Sequence, residues 1–283
     1  MNPLPPCGWS NGLVRTAAAW IHAADALVIA AGAGMGVDSG LPDFRGNDGF
    51  WNAYPSFRHL GLKFTDLANP AWFQDDPPLA WGFYGHRYNL YRRTPPHAGF
   101  QILRQWADAK PAGWFVFTSN VDGHFQRAGF AEDRVLECHG SIHRWQCVDE
   151  YDGHLWPAGD ADVPVDESTM RAVGALPRDP ASGKLARPNI LMFGDGGWNS
   201  RVTDQQHERY EHWLSTLAGR RLVVIELGAG TAVPTVRLHA EALVNQLDAR
   251  LIRLNVRESH VPAGQIGLAC GALAGLTALR EAM

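Results

Sequence analysis

Short apolar runs recur along the chain, separated by longer stretches in which apolar residues return every three or four positions. The runs are Leu27–Ala31, Trp114–Thr118, Val135–Cys138, Asn189–Phe193, Leu222–Leu227 and Leu251–Asn255. Runs of this length, bounded by turn residues, predict buried strands. The intervening periodicity predicts helices. Residues 12–25 place Val14, Ala17, Ala18 and Ile21 on one face, and Pro78 opens a helix that reaches Arg93 before Pro95-Pro96. A third runs from Thr203 to Leu217, with Thr203 and Gln206 as a capping-box pair, Tyr210, Trp213, Leu214 and Leu217 as its buried stripe, and Gly219 as its stop. Short apolar strands alternating with amphipathic helices predict an α/β fold, a Rossmann-type doubly wound parallel sheet covered on both faces.

Two stretches break the alternation. Residues 44–91 hold 13 of the 29 aromatic residues among prolines, which predicts a helical, aromatic-rich insertion over 46–93. It forms either an aromatic mini-core or, in part, the wall of a ligand pocket. Residues 148–187 are rich in glycine, proline and aspartate and predict a smaller, loop-rich insertion. The Rossmann-type part of this single domain, 1–283, then comprises 12–45, 94–147 and 188–283.

Composition narrows the function class. A formal net charge of −4 gives no basic surface for nucleic acid. No apolar run approaches the roughly 18 residues of a membrane helix, and the N-terminus lacks the basic-then-apolar pattern of a secretory signal. The four cysteines, at 7, 138, 147 and 270, form no disulfide framework, so a reducing cytoplasm is expected. Nothing in the composition specifies an oligomeric state.

Candidate chemistry collects where strands end. After Leu27–Ala31 come glycines at 32, 34 and 36, a turn whose backbone N–H groups suit an anion such as a phosphate. The usual dinucleotide fingerprint is absent, because it would need glycine at Val37. Gly228-Ala229-Gly230 repeats the Gly32-Ala33-Gly34 turn after a later strand, which suits a ligand lying across the switch point of a doubly wound sheet. Thr118-Ser119-Asn120-Val121-Asp122 either ends its strand as an Asx-type turn or offers Asn120 to a water or ribose hydroxyl with Asp122 beside it. His139, in Glu137-Cys138-His139-Gly140, is either a structural histidine or a general base.

The stretch from Gly32 to Trp51, G-A-G-M-G-V-D-S-G-L-P-D-F-R-G-N-D-G-F-W, resembles the NAD-binding motif of sirtuins. Further motifs follow in sirtuin order: Pro95 to Leu103 around His97, T-S-N-V-D at 118–122, E-C-H-G at 137–140, Arg187 to Gly194, Gly228 to Pro234, and Leu254-Asn255. The resemblance implies an NAD-dependent lysine deacylase that cleaves the nicotinamide–ribose bond and passes the acyl group to ADP-ribose. It implies NAD contacts from Gly32, Ala33, Gly34, Asp43, Phe44, Arg45, Ser119, Asn120, Asp122, Gly228, Ala229, Gly230 and Asn255. His139 becomes the base, Asn120 and Asp122 hold the nicotinamide end, and an acyl-lysine protein or peptide is the partner.

Departures from the family qualify that expectation. Ser119 replaces a glutamine and Gly36 a serine. The loop Phe193-Gly194-Asp195-Gly196-Gly197-Trp198 replaces F-G-E followed by proline, so peptide binding is altered. Most sirtuins hold zinc with two C-x-x-C pairs after the base, whereas Cys147 is alone here. His143, Cys147 and His154 make a poor ligand set, and no metal is expected. Tyr84 and Arg87 resemble the Y-x-x-R pair of the desuccinylase and demalonylase branch, whose arginine grips an acyl carboxylate; Arg87 otherwise reads as a solvated helix charge. ADP-ribosyl transfer or NAD hydrolysis on the same fold, and an NAD or ADP-ribose sensor without turnover, are the alternatives.

Overall fold

The structure is a computed structural model that describes residues 10–42, 50–51, 54–59, 61–149, 153–160 and 162–283. The chain runs α1 (Asn11–Ala23), β1 (Ala26–Ala31), α2 (Pro77–Arg93), α3 (Ala98–Asp108), β2 (Trp114–Thr118), β3 (Val135–Glu137), β4 (Gly140–Cys147), β5 (Ala186–Ile190), α4 (Arg201–Ser215), β6 (Leu222–Leu227), α5 (Thr235–Leu247), β7 (Arg250–Leu254), β8 (Ile266–Leu268) and α6 (Ala272–Glu281), with shorter turns of helix and two-residue strands between them.

Six strands form one parallel sheet in the order β8–β7–β6–β1–β2–β3. Successive side chains of a strand point to opposite faces, so each central strand feeds two cores. Leu27, Ile29 and Ala31 pack with Val116 and Ile225 under α1, α3 and α6. Ala26, Val28 and Ala30 pack with Phe115 and Val224 under α4 and α5. Strand order reverses between β1 and β6, which is the switch point where such sheets bind ligands.

Three expectations need correction. The apolar run expected as a strand over Asn189–Phe193 lies at Ala186–Ile190 and pairs antiparallel with β4, outside the parallel sheet. The capping box does not form: Ser200 precedes α4 without a side-chain cap. Thr203 Oγ1 instead donates to the Glu137 carbonyl (3.2 Å), while the Gln206 amide oxygen accepts from Glu137 N–H at 2.9 Å. These two side chains fasten α4 to the end of β3. The edge strand β8, only three residues long, was not anticipated.

A third core joins the two insertions. Trp81, Phe83, Tyr84 and Tyr88 of α2 pack with Phe50, Phe73, Val163, Met170 and Ala186. Asp76 caps α2 by accepting from Leu79 N–H (3.3 Å), and Pro77 and Pro78 occupy the first turn, where a missing N–H costs nothing. Trp81 Nε1 donates to the Ala186 carbonyl at 2.9 Å, and Asn89 exchanges two hydrogen bonds with the Val163 backbone. Close approach needs Gly82 and Gly85. A Cβ at Gly82 would run into the Met170 carbonyl, and one at Gly85 into Val163.

Candidate active site

Register places the site. Glu137, Thr118, Ala31, Leu227 and Leu254 stand in one row across β3, β2, β1, β6 and β7. The next residue of each strand continues the ladder past the sheet. Cys138 N–H donates to Thr118 O (2.9 Å), Ser119 to Ala31 (3.1 Å), Gly32 to Leu227 (2.9 Å), Gly228 to Leu254 (2.9 Å) and Asn255 to Leu268 (3.1 Å). The five segments expected to carry chemistry therefore leave the same edge side by side.

The two glycine turns pack directly on each other. A Cβ on Gly32 would sit 2.7 Å from Ala229 Cα. Gly228, at φ +60, lies against the backbone of Gly34. Gly34 N–H donates to the Gly228 carbonyl at 3.0 Å. Gly32 thus spends its N–H group on the end of β6 and Gly34 on the neighbouring turn, which corrects the expectation that they face an anion. The N–H groups of Ala33 and Gly230 have no acceptor among the described residues. Asn255 braces the second turn, donating from Nδ2 to the Ala229 carbonyl at 2.7 Å and accepting from Arg257 and Glu258 N–H (3.1 and 3.0 Å). Gly36 packs on Leu41, so a serine there would press on that side chain.

Beyond β2, Thr118 Oγ1 donates to the Ala31 carbonyl (3.0 Å) and accepts from Asn120 N–H (3.0 Å). Asn120 Nδ2 reaches across to the Gly32 carbonyl at 3.1 Å. Asp122 is buried and its Oδ1 accepts from His124 N–H (2.9 Å), an Asx turn. The Asx-turn reading of this segment holds, and the Asn120 amide lies beside the glycine loop.

His139 is half-buried, and that burial lowers its pKa below the ordinary histidine value. The ring is therefore neutral at pH 7, with a lone pair able to take a proton. Its Nε2 lies 3.4 Å from Thr235 Oγ1 at the first position of α5. Burial pushes the adjacent Cys138 thiol up to about 12, so it stays protonated. Thr118 was read from sequence only as the start of its segment, and Thr235 was missed; a hydroxyl beginning a helix directly after Pro234 was the available signal for Thr235. Asp43, Phe44 and Arg45 lie outside the described residues.

The altered loop closes on Asp195. Its carboxylate pairs with Arg187, both side chains fully buried, and accepts from Met192 N–H (3.2 Å) and Gly197 N–H (3.0 Å). Leu191 N–H, entering this loop, donates to the carbonyl of His139 itself at 3.0 Å. Phe193 N–H donates to Ala68 at 2.8 Å, and both Leu191 and Phe193 side chains are exposed.

Tyr84 and Arg87 share one face of α2, but Arg87 is no solvated charge: it is only 7% exposed. Its Nε and Nη2 both donate to Tyr91 Oη (3.0 and 2.9 Å), and its guanidinium lies over the rings of Phe64, Phe83, Tyr84 and Tyr91. Burial pushes the Tyr84 hydroxyl up to about 12, with Arg87 and Arg187 pulling the other way. Tyr84 is thus close enough to the base-side loop to feel its charges.

His143, Cys147 and His154 are not brought together: His143 Nε2 sits 2.9 Å from the Asp122 carbonyl, whereas His154 pairs with Asp179. Among the described residues no group of three or more histidine, cysteine or acidic side chains is arranged to hold a metal ion. Among them, too, no helix is long and apolar enough to cross a membrane.

Residues 32–219 match the model of the Sir2 family. An NAD-dependent protein deacylase of Aquifex aeolicus is 30% identical over 236 residues, covering 83% of this chain and 85% of the relative. One of Pyrococcus furiosus is 33% identical over 235 residues, covering 81% of each. A solved Sir2 homolog in complex with NAD superposes with a TM-score of 0.69 at 24% identity, covering 98% of this chain and 94% of that one.

Proposed function

The chain belongs to the Sir2 family, and on that premise we propose that it removes acyl groups from lysine side chains with consumption of NAD, using the edge where five strands end as its active site. The carrying observation is that edge. It sets Asn120, Asp122 and His139 on the same edge as two glycine turns that pack backbone to backbone. The curated relatives bear the deacylase name, which favours acyl removal over ADP-ribosyl transfer, NAD hydrolysis or a silent sensor.

These residues suit NAD. The N–H groups of Ala33 and Gly230 are free to meet its phosphates, and Asn255 keeps the second turn in shape. Bound NAD supplies the glycosidic bond whose cleavage leaves a cation-like sugar carbon. Asn120 and Asp122, fixed by their turn, hold the nicotinamide end and order polar contacts there. His139, neutral because buried, takes a proton from a ribose hydroxyl. The acyl-lysine peptide lies along Leu191 to Gly194, whose first N–H is bonded to the base's own carbonyl.

Tyr84 and Arg87 set the acyl group. A carboxylate entering an aromatic-lined pocket loses hydration, and a fixed guanidinium there compensates it. Acidic acyl groups such as succinyl and malonyl are the proposed preference, and the cytoplasm the proposed compartment. The test is mass spectrometry of products formed from NAD with acetyl-, succinyl- and malonyl-lysine peptides. O-acyl-ADP-ribose is expected; free ADP-ribose, a modified protein or unchanged NAD would overturn the reading.

A further inference from the structure

Sirtuins commonly close their loop-rich insertion with zinc between two C-x-x-C pairs, and the residues of this chain do not fit that ion. Two arms of the insertion nonetheless meet where such a site would bridge them. Cys147 ends β4, and Asp179 and Ser182, three apart as the members of a C-x-x-C pair would be, sit on the turn leading into β5. The arms are already paired: Cys147 faces Ala186, and Val148 N–H donates to the Leu185 carbonyl at 3.0 Å.

The centre of the junction is a carboxylate. Asp179 is 3% exposed. Its Oδ2 accepts from Ser182 Oγ (2.5 Å), from Ser182 N–H (3.2 Å) and from the Cys147 thiol (3.7 Å). Its Oδ1 accepts from Ala181 N–H at 3.0 Å and lies 3.3 Å from His154 Nε2 on the other arm. A zinc site directs lone pairs inward at a cation. Here donors are directed inward at an anion, so the polarity is reversed. A thiol that donates its proton is not the thiolate a metal needs.

We propose that Cys147, His154, Asp179 and Ser182 form a metal-free clasp that takes over the closing role of the zinc site, joining the two arms through a buried carboxylate. The insertion then holds its shape without metal, and oxidising or chelating conditions have no ion to remove.

Two experiments test this on the full chain. Elemental analysis of the purified protein should find no stoichiometric zinc, and a chelator should leave the thermal unfolding midpoint unchanged. About one zinc per chain, or a midpoint lowered by chelator, would overturn the clasp. The second measurement restores the lost polarity. Asp179→Cys with Ser182→Cys removes the anion and adds two thiolates, which with Cys147 and His154 complete a tetrahedral set. Titration with Co(II) should then give the intense visible bands of tetrahedral thiolate coordination at about one equivalent, while the unaltered chain gives none. Equal cobalt binding by both chains, or none by the variant, would show that these four positions do not stand where a metal site would.

Discussion

The side-chain amide of Asn120 donates to the carbonyl of Gly32 across 3.1 Å, and through that bond the end of β2 holds the turn after β1. A residue assigned to the nicotinamide end is thus also a tie in the scaffold, and the two roles separate by size. Asn120→Ala should lower stability by only about 0.5–1.5 kcal/mol, one ordinary hydrogen bond. Its kcat/KM should fall by about a hundredfold or more, the scale of losing a polar group aimed at developing charge. Unfolding midpoints and steady-state rates, measured at a temperature where the variant is fully folded, check this. A rate loss below about tenfold would leave only the scaffold role.

His139→Ala should reduce deacylation by about 10²–10⁴ while NAD binding, read by calorimetry, stays near wild type, because proton transfer is the role assigned. The pH profile gives a second check. Burial lowers the folded-state pKa of His139 below its ordinary value, so the ring stays neutral as pH falls through about 6.5. The acid limb of kcat/KM should therefore lie below that value. The sign for stability agrees: the unfolded chain takes up this proton first, so the contribution is present above the unfolded pKa and is lost as pH falls. An acid limb above pH 6.5 would contradict the assignment.

Arg87→Met keeps bulk and removes the charge. A hydrogen bond to a charged group contributes roughly 1.5–3 kcal/mol, so kcat/KM for succinyl-lysine should drop about tenfold to a hundredfold. Acetyl-lysine, with no carboxylate to hold, should change little. The succinyl-to-acetyl ratio is the quantity to measure, and a ratio that does not move removes the acidic-acyl preference.

Asp195 and Arg187 have side chains 0% and 1% exposed. Asp195→Ala would strand a buried guanidinium, a loss of about 3–5 kcal/mol. Replacing both partners with apolar residues should cost less, because no charge is then left uncompensated. Urea unfolding of the single and double variants distinguishes these outcomes. The same single variant should raise KM for peptide, since the loop that closes on Asp195 enters from a bond to the His139 carbonyl.

Much of the large sheet was legible because its strands are buried on both faces and so read as unbroken apolar runs. Five of those runs mark β1, β2, β3, β6 and β7, and the positions after them form the candidate site. Partner choice was not legible. β5 reads Ala-Arg-Pro-Asn-Ile, with Ile190 its one β-branched residue, and its antiparallel pairing with β4 is made across the loop-rich insertion that connects the two strands. Thr203 and Gln206 have the spacing of a capping box, yet they bond to Glu137, which lies 66 and 69 residues earlier. Local pattern carries no record of contacts at that range. The pairing of Cys147 with Asp179 and Ser182 was hidden for the same reason.

The close approach at Gly82 and Gly85 constrains how this protein could be rebuilt. α2 carries Tyr84 and Arg87, the residues proposed to set the acyl group, and the segment around Val163 and Met170 lies against its bare backbone. A chimera that took its helix from a relative with larger residues at those two positions would drive side chains into the Met170 carbonyl and Val163. Acyl specificity could then be transplanted only as two distant pieces of chain exchanged together, and the two would be expected to change in step in any lineage that alters its substrate.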